Sequence, residues 1–268
     1  MDSKYEEVVN YAFKQEERVC SYEINGVRVY LKKREKQKKL IHILQSILQK
    51  ITRDPMLMIS VLSNSENEIL YESSKIKMLE KLGVNVPHIL EVTDNYFIMS
   101  DTGESLKNYI YEQIKSKNIV DKEKQENFKN KYVLKALDIL IKLHNTNNAQ
   151  GGCQIRNFTI KDDRISLIDF EEKIPKDYIK TFQKRDFLLL MLSLQRSGFN
   201  PNIGNLSNYY SNKAEYKTLY VELKDYLLKY KWLLFLESGL FKKIRMKDVR
   251  DLLYIIRQVE DKGEEKYV

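Results

Sequence analysis

The chain has 268 residues, 43% of them hydrophobic, enough for one domain of two lobes or for two small domains with a sizeable core. Charged residues make up 31%, and no apolar run approaches the ~18 residues of a spanning helix, which argues against a membrane-embedded protein. The formal net charge of +8 favours anionic partners: nucleotide, nucleic acid or an anionic membrane face.

The opening stretch, up to Val19, is polar and acidic and lacks the apolar segment of a signal peptide. Cys20 and Cys153, the two cysteines, match no metal-ligand spacing, so a cytoplasmic, reduced protein is expected. The first strands are expected at Val19 to Tyr22 and Val27 to Leu31. Asn25-Gly26 between them is a strong hairpin signal. A basic run from Lys32 to Lys39 leads into apolar positions at Leu40, Ile41, Ile43, Leu44, Ile47, Leu48 and Ile51, the spacing of an amphipathic helix. The spacing from Glu68 to Leu82 predicts a second helix, stopped by Gly83. Two strands follow, Val86 to Leu90 and Tyr96 to Met99, turned at Thr93-Asp94-Asn95. The polar link Ser100-Asp101-Thr102-Gly103 then opens into a helix near Ser105 and marks a boundary between lobes, 1–100 and 101–268. Tyr132 to His144 reads as a strongly apolar helix. Asn157 to Ile160 and Ile165 to Ile168 read as a hairpin. Helices are expected from Phe182 onward, including Lys217 to Leu236 and Val249 to Val259. Strands first, then helices with one hairpin among them, predict an α+β protein.

Phosphoryl transfer from ATP needs a cation on the phosphates, an acid to hold that cation, oxygen ligands for magnesium, and a group that orients the acceptor hydroxyl. Residue types suited to these tasks occur here in a telling order. Lys32 ends the second strand, and Glu72 lies on the helix that follows, where it can pair with Lys32. Asn157 opens the hairpin and Asp169 closes it, so the turn brings both to one end, a pair suited to magnesium. Asp186 is expected to start an apolar helix and to brace the loop before the hairpin. Taken singly, Lys32 reads as surface charge, Glu72 as a helix-face carboxylate and Asn157 as a turn residue. Their order carries the reading.

From Glu72 to Asp186, with a weaker part from Gly26 to Lys32, the chain resembles bacterial kinase-like proteins, closest to the lipopolysaccharide core kinases that include the Kdo kinases. The run Glu72 to Leu106, with Gly83-Val84-Asn85-Val86-Pro87-His88 at its centre, resembles that group's helix, strand and hinge. The run Leu140 to Glu172 resembles its catalytic loop and metal strand. The resemblance implies a two-lobed protein-kinase-like fold with a β-rich first lobe and a mainly helical second one. It implies an ATP- and magnesium-dependent phosphotransferase acting on a sugar hydroxyl of lipopolysaccharide core or a similar small acceptor. Lys32 and Glu72 would serve the nucleotide, Asn157 and Asp169 the metal, and Gln154 and Arg156 the acceptor side, with Arg156 neutralising an anionic sugar or lipid-linked group.

Two departures count against turnover. The family's catalytic loop carries an Asp five residues before the Asn, and here that place is Gly152, preceded by Gln150 and Gly151. Losing a positioned base costs ~10²–10⁴ in rate. No G-x-G-x-x-G arrangement occurs among the nine glycines. Glu171 replaces the last Gly of Asp-Phe-Gly, a milder change. A pseudokinase, a nucleotide-binding or scaffolding module without transfer, is therefore the alternative. The basic segment, an insertion over about 32–54, fits either a helix packed on the first lobe or peripheral contact with an anionic inner membrane face. Base-reading motifs are missing, so a nucleic-acid role has little support. His42, His88 and His144 show no metal spacing, and neither a nucleophile elbow nor a zinc-protease motif occurs.

Overall fold

The computed structural model describes residues 5–34, 56, 67–232, 234 and 247–261. The basic and amphipathic segment expected over 32–54 lies outside them from residue 35 to residue 54. The protein is α+β, with small antiparallel sheets and many helices. Contacts divide it into two compact units, residues 1–104 with 159–174, and residues 105–158 with 175–268.

The first unit is built on a four-stranded antiparallel sheet in the order β1-β2-β4-β3. Its strands are β1 (Val19–Ile24), β2 (Val27–Lys33), β3 (Ile89–Val92) and β4 (Tyr96–Ser100). The β1–β2 turn takes left-handed backbone angles at Asn25 (φ 49°) and Gly26 (φ 76°), the primed turn that an Asn-Gly pair favours. Register sets Lys32 opposite Val19 on one side and Phe97 on the other. Side chains alternate along a strand. Val29 and Leu31 therefore join Val8, Ala12, Cys20 and Ile98 in one core cluster, and Lys32 points to the opposite face. Val8 and Ala12 belong to α1 (Glu6–Ala12), a short helix that is not among the expected elements. Helix α2 (Glu68–Lys81) packs on β3 and β4 and buries Ile69, Glu72, Ser73, Ile76 and Leu79, an i, i+3, i+4 stripe. Asn67 caps its start by accepting from the Ile69 and Leu70 amides, and Gly83 (φ 78°) ends it.

Strand β3 starts at Ile89, later than expected at Val86, because Pro87 has no N–H for a ladder. The chain passes from the first unit to the second through β5 (Glu104–Ser105). Strands β6 (Phe158–Lys161) and β7 (Arg164–Leu167) form the expected hairpin. Expected as part of the helical half, residues 159–174 instead cluster with the first unit. Asn85 explains this: its carbonyl accepts from Leu167 N at 2.9 Å, and its Nδ2 donates to Ile165 O at 3.1 Å.

The second unit is helical: α3 (Leu106–Ser116), α4 (Lys122–Asn145), α5 (Ile179–Arg196), α6 (Ile203–Lys213), α7 (Leu219–Leu228) and α8 (Lys247–Asp261). Helix α4 buries Tyr132, Val133, Ala136, Leu137, Leu140, Ile141 and His144 along one face. Helix α5 starts before the expected Phe182, so Asp186 sits in its third turn and not at its start. It lies four residues from both Phe182 and Leu190, on the stripe that the helix buries. Helix α7 is shorter than the expected Lys217 to Leu236; at its end the Tyr230 amide bonds Leu227 O, a tighter i→i+3 turn.

Candidate functional site

The first unit brings three of the expected site residues together. Lys32, on the face of β2 turned away from the α1 core, is only 5% exposed. Its Nζ lies 2.8 Å from Glu72 Oε1 and 3.0 Å from Asp169 Oδ1. Glu72 is buried on the inner face of α2, and the same Oε1 also accepts from the Phe170 amide at 3.1 Å. That bond fixes the segment after β7 against the helix. Fully buried Phe170 anchors the segment from the other side of the chain. Asp169 itself has φ 69°, a left-handed conformation that costs a non-glycine residue energy and that clusters at functional sites. Its side chain is 47% exposed, so a carboxylate held at a buried ammonium still faces outward.

Two further residues belong to this site. Glu171 Oε1 lies 2.6 Å from Lys32 Nζ and 2.5 Å from Arg18 Nη1. Arg18, just before β1, also donates from Nε to Lys33 O at 3.2 Å and lies 3.6 Å from Glu68 Oε1. In the sequence Glu171 reads only as a mild departure from Asp-Phe-Gly. It lies beyond β7, which ends at Leu167, and just past a left-handed Asp169, so no strand period marks it. Nothing in the sequence flags Arg18.

Charge sets the site's protonation. Burial works to lower the pKa of Lys32, but the carboxylates of Glu72, Asp169 and Glu171 outweigh it and hold the ammonium well above its ordinary value. Burial raises Glu72, and Lys32 opposes that only in part. For Asp169 the balance is reversed: burial pushes upward, and the Lys32 charge and hydrogen bond bring the carboxyl below the usual range. Among the described residues Glu72, Asp169 and Glu171 each place a carboxylate oxygen within 4.8 Å of the others. With Glu68 nearby, four carboxylates face two cations, Lys32 and Arg18. This excess of hard oxygen donors suits a divalent cation such as magnesium.

The remaining expected residues lie in the second unit. Asp186, fully buried, takes the Gln150 amide on Oδ2 at 2.6 Å and the Gly151 amide on Oδ1 at 2.7 Å. The Cys153 amide reaches Oδ1 at 3.3 Å, and His144 Nε2 lies 3.4 Å from Oδ2. His144 Nδ1 meets the Tyr210 hydroxyl at 2.7 Å. The bracing role expected for Asp186 is thus filled from mid-helix. Burial, with the Asp186 charge adding to it, pushes the Cys153 thiol far up. Asn157 ends a short 3-10 turn, Ile155–Asn157, and its Nδ2 donates to Gly152 O at 3.4 Å. Gly152 donates its own amide to the side chain of buried Gln150 at 3.0 Å. Gln154 is half-buried and Arg156 exposed, and neither side chain makes a hydrogen bond or ion pair among the described residues.

No protein-family model and no curated protein matches the chain.

Proposed function

We propose that this chain has a protein-kinase-like fold and binds ATP with magnesium. The reaction is phosphoryl transfer to a sugar hydroxyl of lipopolysaccharide core or a similar small anionic acceptor. The observation that carries the reading is the buried Lys32–Glu72 pair with Asp169 3.0 Å from the same ammonium. Lys32 is held charged and oriented by Glu72, as a phosphate-binding cation must be. Asp169, exposed and ionised, is the residue of the first unit to hold magnesium, which would supply charge neutralisation on the transferred group; the resemblance gives Asn157, in the second unit, the same role. Arg156, exposed and without a partner among the described residues, is the group to meet an anionic acceptor. No described helix is long and apolar enough to cross a membrane. A lipid-linked acceptor would be met at the cytoplasmic membrane face.

One observation favours a second reading, a pseudokinase that keeps nucleotide and omits transfer. A Cβ placed on Gly152 would meet, within 4 Å, only Gln150 Oε1, at 4.0 Å. Among the described residues no carboxylate lies within 4 Å of that position.

The test is a thermal-shift titration with ATP and magnesium on the wild type and Asp169→Ala. A magnesium-dependent rise in Tm that Asp169→Ala removes is expected from both readings. An unchanged rise in the variant, or none in either protein, would sink the nucleotide site. A transfer or ATPase assay then separates enzyme from pseudokinase.

A further inference from the structure

We propose that Lys32 and Arg18 together form a phosphate seat that the free protein fills with its own Glu171, so that nucleotide enters by displacing that carboxylate. The inference rests on the nucleotide reading above and adds to it a second phosphate-binding cation and an internal competitor. One oxygen, Glu171 Oε1, sits between two cations, 2.6 Å from the Lys32 ammonium and 2.5 Å from the Arg18 guanidinium. These are charge-assisted contacts. A carboxylate oxygen and a phosphate oxygen ask the same of their donors, and a guanidinium serves either.

The two sides of this contact differ in mobility. The cations are fixed. Lys32 has a side chain 6% exposed and is tied to Glu72, which is 2% exposed. Arg18 is pinned to the backbone of β2 through Lys33 O. The anion is the more mobile side: the Glu171 side chain is 38% exposed, and beyond these two ion pairs it meets the Asp169 carboxyl, another acid. A half-exposed carboxylate regains water when it swings out, so the pair that it leaves is worth little. A polyphosphate brings several charges to the seat in exchange for one.

Position explains why an arginine serves here. It stands at the entry to β1, in a stretch from Phe13 to Arg18 that holds no glycine. A chain without a glycine-rich loop has no cradle of backbone amides for the phosphates, and a guanidinium supplies donors in their place. When Glu171 leaves, Asp169 keeps its place at Lys32 and its exposure, ready for a cation.

The experiment measures binding of magnesium-ATP and of magnesium tripolyphosphate to the full chain by calorimetry. Five proteins are compared: wild type, Glu171→Gln, Arg18→Gln, the double variant and Lys32→Met. Glu171→Gln keeps the size and removes the charge, and is expected to tighten both ligands roughly two- to five-fold. Arg18→Gln is expected to weaken both about ten-fold or more. In the double variant the gain from Glu171→Gln is expected to shrink, because the seat itself is gone. Equal affinity in wild type and Glu171→Gln, with binding still lost in Lys32→Met, would overturn the seat and leave the nucleotide reading intact. No binding to any folded variant, Glu171→Gln included, would overturn both. Should Glu171→Gln fail to melt cooperatively, Glu171→Ala is read in the same way, and Arg18→Gln with unaltered affinity is by itself a refutation.

Discussion

Asp186 shows how much a single buried acid can organise. It has no exposed surface, and three backbone amides, those of Gln150, Gly151 and Cys153, converge on its two oxygens. Asp186→Ala would strand these donors around a fully buried position. An unsatisfied buried donor costs about 1–3 kcal/mol, so with three of them a loss of roughly 3–9 kcal/mol is expected in urea unfolding. Asp186→Asn keeps one acceptor oxygen and should lose less. A loss below about 1 kcal/mol for Asp186→Ala would mean that the loop amides find other partners. The sequence contained the signal for this residue, an acid at i+4 from Phe182 and i−4 from Leu190 on an apolar stripe, but placing the helix start too late hid it. Lys32, Glu72 and Asp169 were legible for a simpler reason. Each ends or lines a segment whose period was plain, and the order of three such segments is more informative than any one of them. Arg18 and Glu171 were not legible, since their pairing joins residues 153 apart in sequence and no local pattern encodes it.

At the level of elements, two glycines with similar dihedrals make opposite demands. Gly26 (φ 76°) sits in the β1–β2 turn with nothing within 4 Å of a would-be Cβ. Gly103 (φ 92°) lies where β4 leads into β5, and a Cβ there would stand 1.9 Å from Ile160 O on β6. Gly26→Ala meets only the left-handed backbone cost, about 1 kcal/mol or a little more. Gly103→Ala adds a collision between backbone and Cβ that no rotamer relieves, so the loss should exceed about 3 kcal/mol. Thermal melts of the two variants test this, and a Gly103→Ala protein as stable as Gly26→Ala would refute the close approach. The hairpin at Gly26 was readable from two residues because turn chemistry is local. The approach of Gly103 to β6 was not, since it depends on how residues 159–174 return to the first sheet unit. Helix α1 went unread for a related reason: its buried Val8 and Ala12 gain their meaning only from β1 and β2 beside them.

For the molecule as a whole the open contrast is between holding a nucleotide and using it. On the proposed reading, holding would draw on Lys32, Glu72 and Asp169, all in the first unit, whereas the place of the base, Gly152, belongs to the second. Gly152 is well placed for repair. It is not among the residues with positive φ, and the space around its would-be Cβ is open but for Gln150 Oε1 at 4.0 Å. An aspartate fits there without backbone strain, and the loop that carries it is already fixed by Asp186. If the chain is an enzyme slowed by this one loss, Gly152→Asp should raise phosphoryl transfer or ATP hydrolysis by roughly 10²–10⁴, the contribution of a positioned base. If it is a pseudokinase, the substitution should leave the rate at background while magnesium-ATP still raises Tm. The comparison is made on folded protein at saturating nucleotide, with Gly152→Asn as the uncharged control. A gain shared by the asparagine variant would show that the carboxylate is not acting as a base. A gain confined to aspartate would show that every other part needed for transfer is already in place.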